Sequence, residues 1–344
     1  MPERPEIARP NAPPGEVAIV MLSALGDAIR VLPVVNALKR AWPGVRITWF
    51  IEELPHRLLQ RHEAVDEFVV VPRRTRNLPQ WLLSLRQAAR GRRFDLAIDL
   101  QVGLKAGLLT AFIDADAKLG FDRGRARDGN WLFTSARIPA RPLRHAQLQY
   151  FEFLEHLGID PYPVEWRLEL TPEERTAQAS FFDGLGHTCA LAFASSAAHK
   201  NWAPERYARL LEHLELDYGF TCILVGAPSD EHLAAEIVAL AAASPIVATG
   251  LGPLMYVLDG SDLAISPDSA PLHIAAALGT PVIGLFGATN PKRYAPLGPS
   301  AALVVDGFAR RPGEAYLESA GTRRGGMDRI SVEAVLAMVK EACA

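Results

Sequence analysis

Cysteine is scarce in this chain, and its scarcity limits the kinds of site that the chain can contain. The 344 residues include 3 cysteines, Cys189, Cys222 and Cys343, which lie far apart and form no C-x-x-C pair. This spacing fits neither a zinc site nor a disulfide framework. We therefore expect a reducing compartment.

Long hydrophobic runs are also missing. No uncharged apolar run approaches the roughly 20 residues that a membrane-spanning helix needs. The segment from Met1 to Glu16 mixes prolines with charges of both signs and has no apolar segment of the signal-peptide kind. It predicts a disordered tail at 1–16, and we expect a cytoplasmic protein.

The chain lacks a strong charge of one sign. Its formal net charge is −3, with 24 basic against 20 acidic residues in 1–170 and 12 against 19 in 171–344. The asymmetry indicates two halves with different partners. It is too weak to indicate a nucleic-acid-binding protein.

Short β-branched runs alternate with stretches of helical periodicity along almost the whole chain. The predicted strands are Val17–Leu22, Val45–Ile51, Phe68–Val71, Leu96–Asp99, Cys189–Ala194, Thr221–Val225, Leu263–Ser266, Val282–Phe286 and Leu303–Val305. The predicted helices include Asp27–Trp42, Leu78–Arg90, Glu205–Tyr218 and Asp230–Ala242. This alternation predicts an α/β fold with parallel sheets.

A proline-containing break near Asp160–Pro172 interrupts the alternation. Thr171-Pro172-Glu173-Glu174 then predicts a capping box with proline at the first helical position. We predict a first domain at 17–170, a second at 171–330 and a C-terminal helix at 331–344. The first domain is one candidate packing partner for that helix.

The first polar motif, Ser23-Ala24-Leu25-Gly26-Asp27, follows the first predicted strand. Ligands of open α/β sheets bind beyond the carboxyl ends of strands, where this loop lies. A carboxylate at a helix N-terminus stays ionised, which suits Asp27 to act as a general base. The alternative is that Asp27 merely caps the helix.

A second motif, Ser195-Ser196-Ala197-Ala198-His199-Lys200, follows the strand Cys189–Ala194. Hydroxyl groups, backbone N–H groups and a lysine beyond a strand end can hold a diphosphate. Lys200 would then neutralise a leaving group, as a metal ion does elsewhere. An ordinary exposed loop is about as good an interpretation of this motif alone.

Two further loops follow strands of the second half. In Asp268-Ser269-Ala270-Pro271-Leu272-His273, small residues let a phosphate approach a helix N-terminus, although His273 alone is more typical of a structural role. In Gly226-Ala227-Pro228-Ser229-Asp230-Glu231, an acidic residue can bind a ribose hydroxyl. Glu231 is the better candidate if Asp230 caps the helix.

A basic stretch contains no acidic residue. It includes Arg73, Arg74, Arg76, Arg86, Arg90, Arg92 and Arg93. Within it Leu78, Trp81, Leu82 and Leu85 have helical spacing, which predicts an ordinary amphipathic helix with a solvated basic face. Contact with anionic lipid headgroups or with an acidic acceptor is the alternative. Arg123, Arg125 and Arg127 form a second basic cluster.

Taken together, in order and at strand ends, these motifs resemble the ADP-heptose:lipopolysaccharide heptosyltransferases, glycosyltransferase family 9. The most specific are S-x-x-G-D near the start and D-[ST]-x-x-x-H followed by A-A-L-G-T-P and F-G-x-T-x-P. The resemblance implies the GT-B fold, with two Rossmann-like domains whose parallel sheets face each other across a cleft. It also implies an inverting, metal-independent transferase.

The resemblance assigns roles to individual residues. Asp27 matches the family's catalytic base and Lys200 its phosphate-binding lysine. The implied donor-binding residues are Ser23, Ser195, Ser196, Glu231, Asp268, Ser269, Ala270 and His273. Basic residues that hold the acidic acceptor correspond loosely to Arg61, Lys105 and Arg123. Two positions depart from the family pattern: Met21 replaces a basic residue and Ala270 a glycine.

The resemblance further implies ADP-L-glycero-D-manno-heptose as donor, a lipid A/Kdo-type inner core as acceptor and no cofactor. The basic stretch leaves open peripheral attachment to the cytoplasmic face of the inner membrane. Another nucleotide sugar or a later core position stays open. Two rivals are a sugar-nucleotide 2-epimerase and a non-catalytic nucleotide-binding or assembly protein. An NAD enzyme is disfavoured because no G-x-G-x-x-G follows the first strand.

Overall fold

The computed structural model describes residues 12–298, 303–311 and 313–344. The chain folds as two units, Met1–Arg167 (unit 1) and Leu168–Ala344 (unit 2). The boundary between them in the sequence falls within the proline-containing break. Of the predicted tail at 1–16, residues 1–11 lie outside the described residues. Its last residue, Glu16, already begins the first strand.

Unit 1 is a six-stranded sheet in the order β3-β2-β1-β4-β5-β6. All of its strand pairs are parallel. The strands are β1 (Glu16–Val20), β2 (Arg46–Ile51), β3 (Glu67–Val70), β4 (Arg93–Asp99), β5 (Asp114–Gly120) and β6 (Ala136–Arg137). The helices are α1 (Leu25–Ala41), α2 (Glu53–Leu59), α3 (Leu78–Ala89), α4 (Leu104–Phe112) and α5 (Ala146–Leu157). This is the strand order of a Rossmann fold.

Unit 2 repeats the arrangement with the order β12-β11-β10-β7-β8-β9, again all parallel. The strands are β7 (Thr188–Ala192), β8 (Thr221–Gly226), β9 (Ile246–Thr249), β10 (Leu263–Pro267), β11 (Val282–Phe286) and β12 (Val304–Asp306). The helices are α6 (Pro172–Phe182), α7 (Pro204–Tyr218), α8 (Glu231–Leu240), α9 (Leu251–Gly260), α10 (Ala270–Leu278), α11 (Pro291–Tyr294) and α12 (Val332–Ala342). The predicted capping box at Thr171 is present at the start of α6.

The first strand of each unit is central because its side chains are apolar on both faces. Val17–Val20 and Cys189–Ala192 are buried almost completely. A parallel strand buried on both faces requires helices on both sides of the sheet. In each unit the strand order reverses next to this strand, between β1 and β4 and between β7 and β10. Open α/β sheets bind their ligands at the carboxyl ends of the strands at such a switch point.

The C-terminal helix belongs to unit 2. Val332, Val335 and Val339 of α12 are buried in one core cluster with Trp202 and Leu211 of that unit. The spacing of the three valines puts them on one face of the helix, which explains why that face packs inward. This face of the predicted C-terminal helix at 331–344 therefore packs within unit 2.

The nine predicted strands and four named helices are all present, with shifted ends. Three strands, β5, β6 and β9, were not among those predicted. β5 reads Asp-Ala-Asp-Ala-Lys-Leu-Gly, and only its last two residues are fully buried. Among the described residues, no helix has the length and apolar character needed to cross a bilayer.

Candidate functional site

The predicted base lies in the first turn of α1, at the carboxyl end of β1. The helix begins at Leu25, so Ala24 is the N-cap and Asp27 the third helical residue. Asp27 is therefore not the cap. The prediction that the helix begins at Asp27 is wrong by two residues, because the helix begins at Leu25. Its Oδ2 atom lies 3.5 Å from the Ala24 nitrogen, whose N–H faces it. The side chain is 37% exposed, which leaves the carboxylate accessible.

A buried arginine holds the other carboxylate oxygen of Asp27. Arg30, one turn further along α1, donates from Nη1 to Asp27 Oδ1 at 2.7 Å. The Arg30 carbonyl in turn accepts a bond from Gln147 Nε2 of α5 at 2.6 Å. The guanidinium offsets the carboxylate charge and fixes its direction, since an i, i+3 pair lies on one helix face. No feature of the sequence motif pointed to Arg30.

The turn before α1 is tied to the neighbouring strand β4. Gln101 accepts a bond from Leu22 N–H at 3.0 Å through Oε1. It donates from Nε2 to the Ser23 carbonyl at 2.7 Å. Leu22 and Met21 are buried, and the Met21 carbonyl accepts a bond from Trp49 Nε1 at 2.9 Å. Ser23, predicted to bind the donor, is thus held through its backbone by a residue that the prediction missed.

A buried polar network supports Gln101 at the end of β4. Asp99 is fully buried and accepts bonds from Gln101 N–H at 3.1 Å, Thr110 Oγ1 at 3.0 Å and Asn130 Nδ2 at 2.9 Å. Burial raises the pKa of Asp99 to about 7, although these three hydrogen bonds act to lower the pKa. Polar residues directly after a predicted strand were the available signal for this network.

The predicted acceptor-binding residues divide between two edges of the unit 1 sheet. Lys105, at the start of α4, forms an ion pair with Glu52, whose N–H donates to the Leu22 carbonyl at 2.9 Å. Arg123 follows β5, and its guanidinium carbon lies 4.4 Å from the centre of the Trp131 ring. Both therefore lie at the carboxyl edge, with Asp27. Arg61 instead follows α2, in the segment that returns the chain to the start of β3.

The second basic cluster combines one buried arginine with two exposed ones. Arg125 is buried and pairs with Asp122 and with Glu152, the latter at 2.6 Å. It also donates to the Pro139 carbonyl at 3.0 Å. Breaking a buried pair of this kind leaves an uncompensated charge, so Arg125 has a structural role. Arg123 and Arg127 remain exposed in the same loop.

In unit 2, the loop after β7 is organised by Asn201. The Asn201 side chain accepts bonds from Ser195 N–H at 2.8 Å and from Ser195 Oγ at 3.0 Å. The Ser195 hydroxyl also lies 2.9 Å from the Ala197 carbonyl. Ser195 therefore shapes the loop, whereas Ser196 is exposed. Asn201 was not among the predicted site residues.

Lys200, Asp268 and His273 meet at the switch point of unit 2. Lys200 Nζ lies 2.8 Å from Asp268 Oδ2, and His273 Nε2 lies 3.5 Å from Asp268 Oδ1. Lys200 comes from the loop after β7 and Asp268 from the loop after β10, two strands that are hydrogen-bonded neighbours. The Asp268 and His273 side chains are buried, while Lys200 is partly exposed. The carboxylate orients the ammonium group at the strand ends.

The remaining predicted donor residues lie at the same edge. Ser269 is the N-cap of α10, with its hydroxyl 3.1 Å from that of Ser266. Ala270 is the first residue of α10 and takes an ordinary helical conformation, so the departure from glycine needs no special φ there.

Asp230 and Glu231 follow β8 and make different contacts. Asp230 is the N-cap of α8, and its carboxylate accepts a bond from Ala227 N–H at 3.2 Å. Glu231 is exposed and accepts a bond from Thr249 Oγ1 of β9 at 3.1 Å. Within the described ranges, no group of three or more His, Cys, Asp or Glu side chains is placed to hold a metal ion.

The chain is similar to proteins of one family. The family model described as glycosyltransferase family 9 (heptosyltransferase) matches residues 82–317. The lipopolysaccharide core heptosyltransferase OpsX of Haemophilus influenzae is 30% identical over 288 residues, 82% of this chain and 82% of that protein.

Solved structures share the fold. A glycosyl transferase family 9 protein from Veillonella parvula matches with a TM-score of 0.80 and 25% identity, over 95% of this chain and 97% of that one. The E. coli heptosyltransferase WaaC with ADP-2-deoxy-2-fluoro heptose matches with a TM-score of 0.70 and 22% identity, over 95% and 99%. The expected fold class, α/β of the GT-B kind with two Rossmann-like halves, is confirmed.

Proposed function

This chain belongs to glycosyltransferase family 9 and is therefore a glycosyltransferase, and from that premise we propose that it adds a heptose to the inner core of lipopolysaccharide. The donor is ADP-L-glycero-D-manno-heptose, and the acceptor is a lipid A/Kdo-type core. One observation carries the mechanism: the segment that follows the first strand of each unit supplies a charged group, Asp27 in the first turn of α1 and Lys200 in the loop after β7.

Asp27 acts as the general base. Its carboxylate is accessible at the carboxyl end of β1, where it can take a proton from a bound hydroxyl group. The acceptor hydroxyl transfers its proton to Asp27 while its oxygen forms a bond to the anomeric carbon. The bond from that carbon to the diphosphate oxygen breaks, and its electron pair leaves with ADP. A single displacement of this kind inverts the anomeric configuration.

Lys200 stabilises the leaving diphosphate. Asp268 holds the ammonium group at the carboxyl edge of β7 and β10, next to the N-terminus of α10. Positive charge and helix N–H groups at this edge stabilise the negative charge that develops as ADP departs. His273 contacts Asp268 from α10 and completes the cluster. This cluster does the work of a metal ion, so no metal is required.

The loops around Lys200 hold the rest of the donor. Ser196 is exposed beside the loop that Ser195 shapes, and Ser269 and Ala270 begin α10, so these residues bracket the diphosphate. Glu231 is exposed at the carboxyl edge between β8 and β9, where it binds the ribose hydroxyl groups.

The acceptor is held at the carboxyl edge of the unit 1 sheet. Lys105 and Arg123 lie at that edge with Ser23, and they supply positive charge for the carboxylates or phosphates of the inner core. We assign Arg61 no contact with the acceptor, because Arg61 follows α2 in the segment that leads to the start of β3.

The exposed face of α3 and the segment before it bind the cytoplasmic face of the inner membrane. Arg73, Arg76 and Arg86 are exposed there, with Leu78 and Leu83 also open to solvent, whereas Arg92 and Arg93 pair with Glu67 and Asp116. Each arginine near an anionic surface contributes about 1 kcal/mol to binding.

The membrane contact is tested by vesicle sedimentation. Arg76→Glu with Arg86→Glu should lose binding to vesicles that contain anionic lipid. The matched control reverses two exposed arginines of unit 2, Arg175→Glu with Arg324→Glu. Equal loss in both pairs, or in neither, would show that this face is not the contact surface.

The transfer itself is tested by ADP release from ADP-heptose in EDTA, with and without a core truncated before its first heptose. Acceptor-dependent release that Asp27→Asn lowers by about 100- to 10,000-fold, while ADP affinity is kept, supports the proposal. Wild-type turnover in Asp27→Asn would overturn the base assignment. ADP binding without release on any core in a panel would favour the non-catalytic alternative.

A further inference from the structure

The short turn between β1 and α1 depends on one glutamine for two of its backbone hydrogen bonds. Residues 21–24 connect the end of β1 to the start of α1, which carries Asp27. Leu22 N–H and the Ser23 carbonyl both bond to the Gln101 side chain, at 3.0 Å and 2.7 Å. Met21 and Leu22 are buried and Ser23 is half-buried, so backbone groups here need such partners, because a polar group cut off from water without a hydrogen bond is destabilising.

The backbone of Gln101 is itself held by hydrogen bonds to two buried side chains. Its N–H donates to Asp99 at 3.1 Å, and its carbonyl accepts a bond from Asn130 Nδ2 at 3.2 Å. Asp99 and Asn130 are both buried. The contact therefore joins the two strands at the switch point, since Gln101 follows β4 and the turn follows β1.

We propose that Gln101 is a positioning residue for the base, acting by fixing the turn from Leu22 to Ala24. The inference rests on the proposed role of Asp27. Ala24 is the N-cap of α1, and its N–H faces the Asp27 carboxylate. A turn released from Gln101 lets the cap and the first helical turn move together, which carries the carboxylate away from the acceptor hydroxyl. Gln101 touches neither substrate in this role.

The expected result is a loss of turnover at nearly constant substrate affinity. A misplacement of about 1 Å at a reacting group costs up to about 100-fold in rate. Gln101→Met keeps the length of the side chain and removes both hydrogen bonds. We expect kcat to fall by about 10- to 100-fold with the KM for donor and acceptor within about twofold of wild type. The matched control is Gln60→Met, at an exposed glutamine in the same unit.

A double-mutant cycle shows whether Gln101 acts through Asp27. If it does, Gln101→Met costs little further activity once Asp27→Asn has removed the base, because residues that act as a unit are not additive. Full additivity would overturn the proposal, and so would a loss confined to KM.

A readout that is independent of activity is hydrogen exchange at the Leu22 amide. It should speed up in Gln101→Met and stay slow in Gln60→Met, and unchanged exchange would also overturn the proposal. Should Gln101→Met fail to fold, Gln101→Glu is measured in its place. This variant keeps the acceptor for Leu22 N–H but sets a carboxylate against the Ser23 carbonyl, so the same loss of kcat is expected.

The two proposals fail in different ways. Full turnover in Asp27→Asn removes the base assignment and, with it, the role of Gln101. An inactive Asp27→Asn beside a fully active Gln101→Met removes only the role of Gln101.

Discussion

Replacing Asp99 by asparagine should change how the stability of unit 1 depends on pH. Asp99 is fully buried, and burial raises its pKa from 3.8 to about 7 in the folded protein. Between these two values the folded state holds a proton that the unfolded state has released. The free energy of unfolding that depends on the Asp99 proton is therefore fully present below pH 3.8, and it decreases as the pH rises towards 7. A pKa difference of about three corresponds to a loss of about 4 kcal/mol across this window.

The measurement is urea unfolding followed by tryptophan fluorescence at several pH values between about 4 and 8. Five of the 6 tryptophans lie in unit 1, so the signal reports mainly on that unit. Other titrating groups affect wild type and Asp99→Asn alike. The quantity to compare is therefore the free energy of unfolding of Asp99→Asn minus that of wild type at each pH. The free energy of unfolding of Asp99→Asn should rise relative to that of wild type by about 4 kcal/mol from the lowest to the highest pH.

Asparagine also changes the hydrogen bonds to Gln101, Thr110 and Asn130, which adds a constant cost at every pH. The slope with pH is therefore the quantity that matters. Asp116→Asn, at an exposed carboxylate on β5, is the control and should follow wild type. A difference between Asp99→Asn and wild type that stays flat over the whole range would refute the reasoning.

Three further predictions concern other parts of the chain. Lys200→Ala should lower kcat by about 100-fold, because the leaving diphosphate loses its cation; wild-type turnover would contradict this. Gly326→Ala should destabilise unit 2 by about 3 kcal/mol or more, because the new Cβ would overlap the Gly287 carbonyl oxygen, a backbone atom with little room to move. Gly44→Ala meets no atom within 4 Å, so it is the control in the same thermal denaturation series. Thr171→Ala should cost about 1 kcal/mol through loss of the α6 cap, and an unchanged melting temperature would count against that reasoning.

The parallel-sheet architecture could be predicted because most strands are continuous apolar runs. Alternating charges obscure β5, β6 has only two residues, and β9 is a short edge strand. Their hydrophobic patterns are too weak to separate them from loops. They take their places because a neighbouring strand offers unpaired backbone groups, a property of the sheet that is absent from the local sequence.

The site could be predicted only as far as the carboxyl ends of single strands. That rule located Asp27, Lys200 and Asp268. It could not show that Lys200 and Asp268 touch, because their contact requires β7 and β10 to be neighbours. The same holds for Gln101, which lies far from Ser23 in sequence and reaches it only because β1 pairs with β4.

The burial of α12 in unit 2 has a consequence for synthesis on the ribosome. All six strands of the unit 1 sheet are available once Arg167 has emerged. The core of unit 2 stays open along one side until Val332, Val335 and Val339 are available. A nascent chain therefore carries a finished N-terminal half while its second half still exposes apolar surface, the period when chaperones have most to bind.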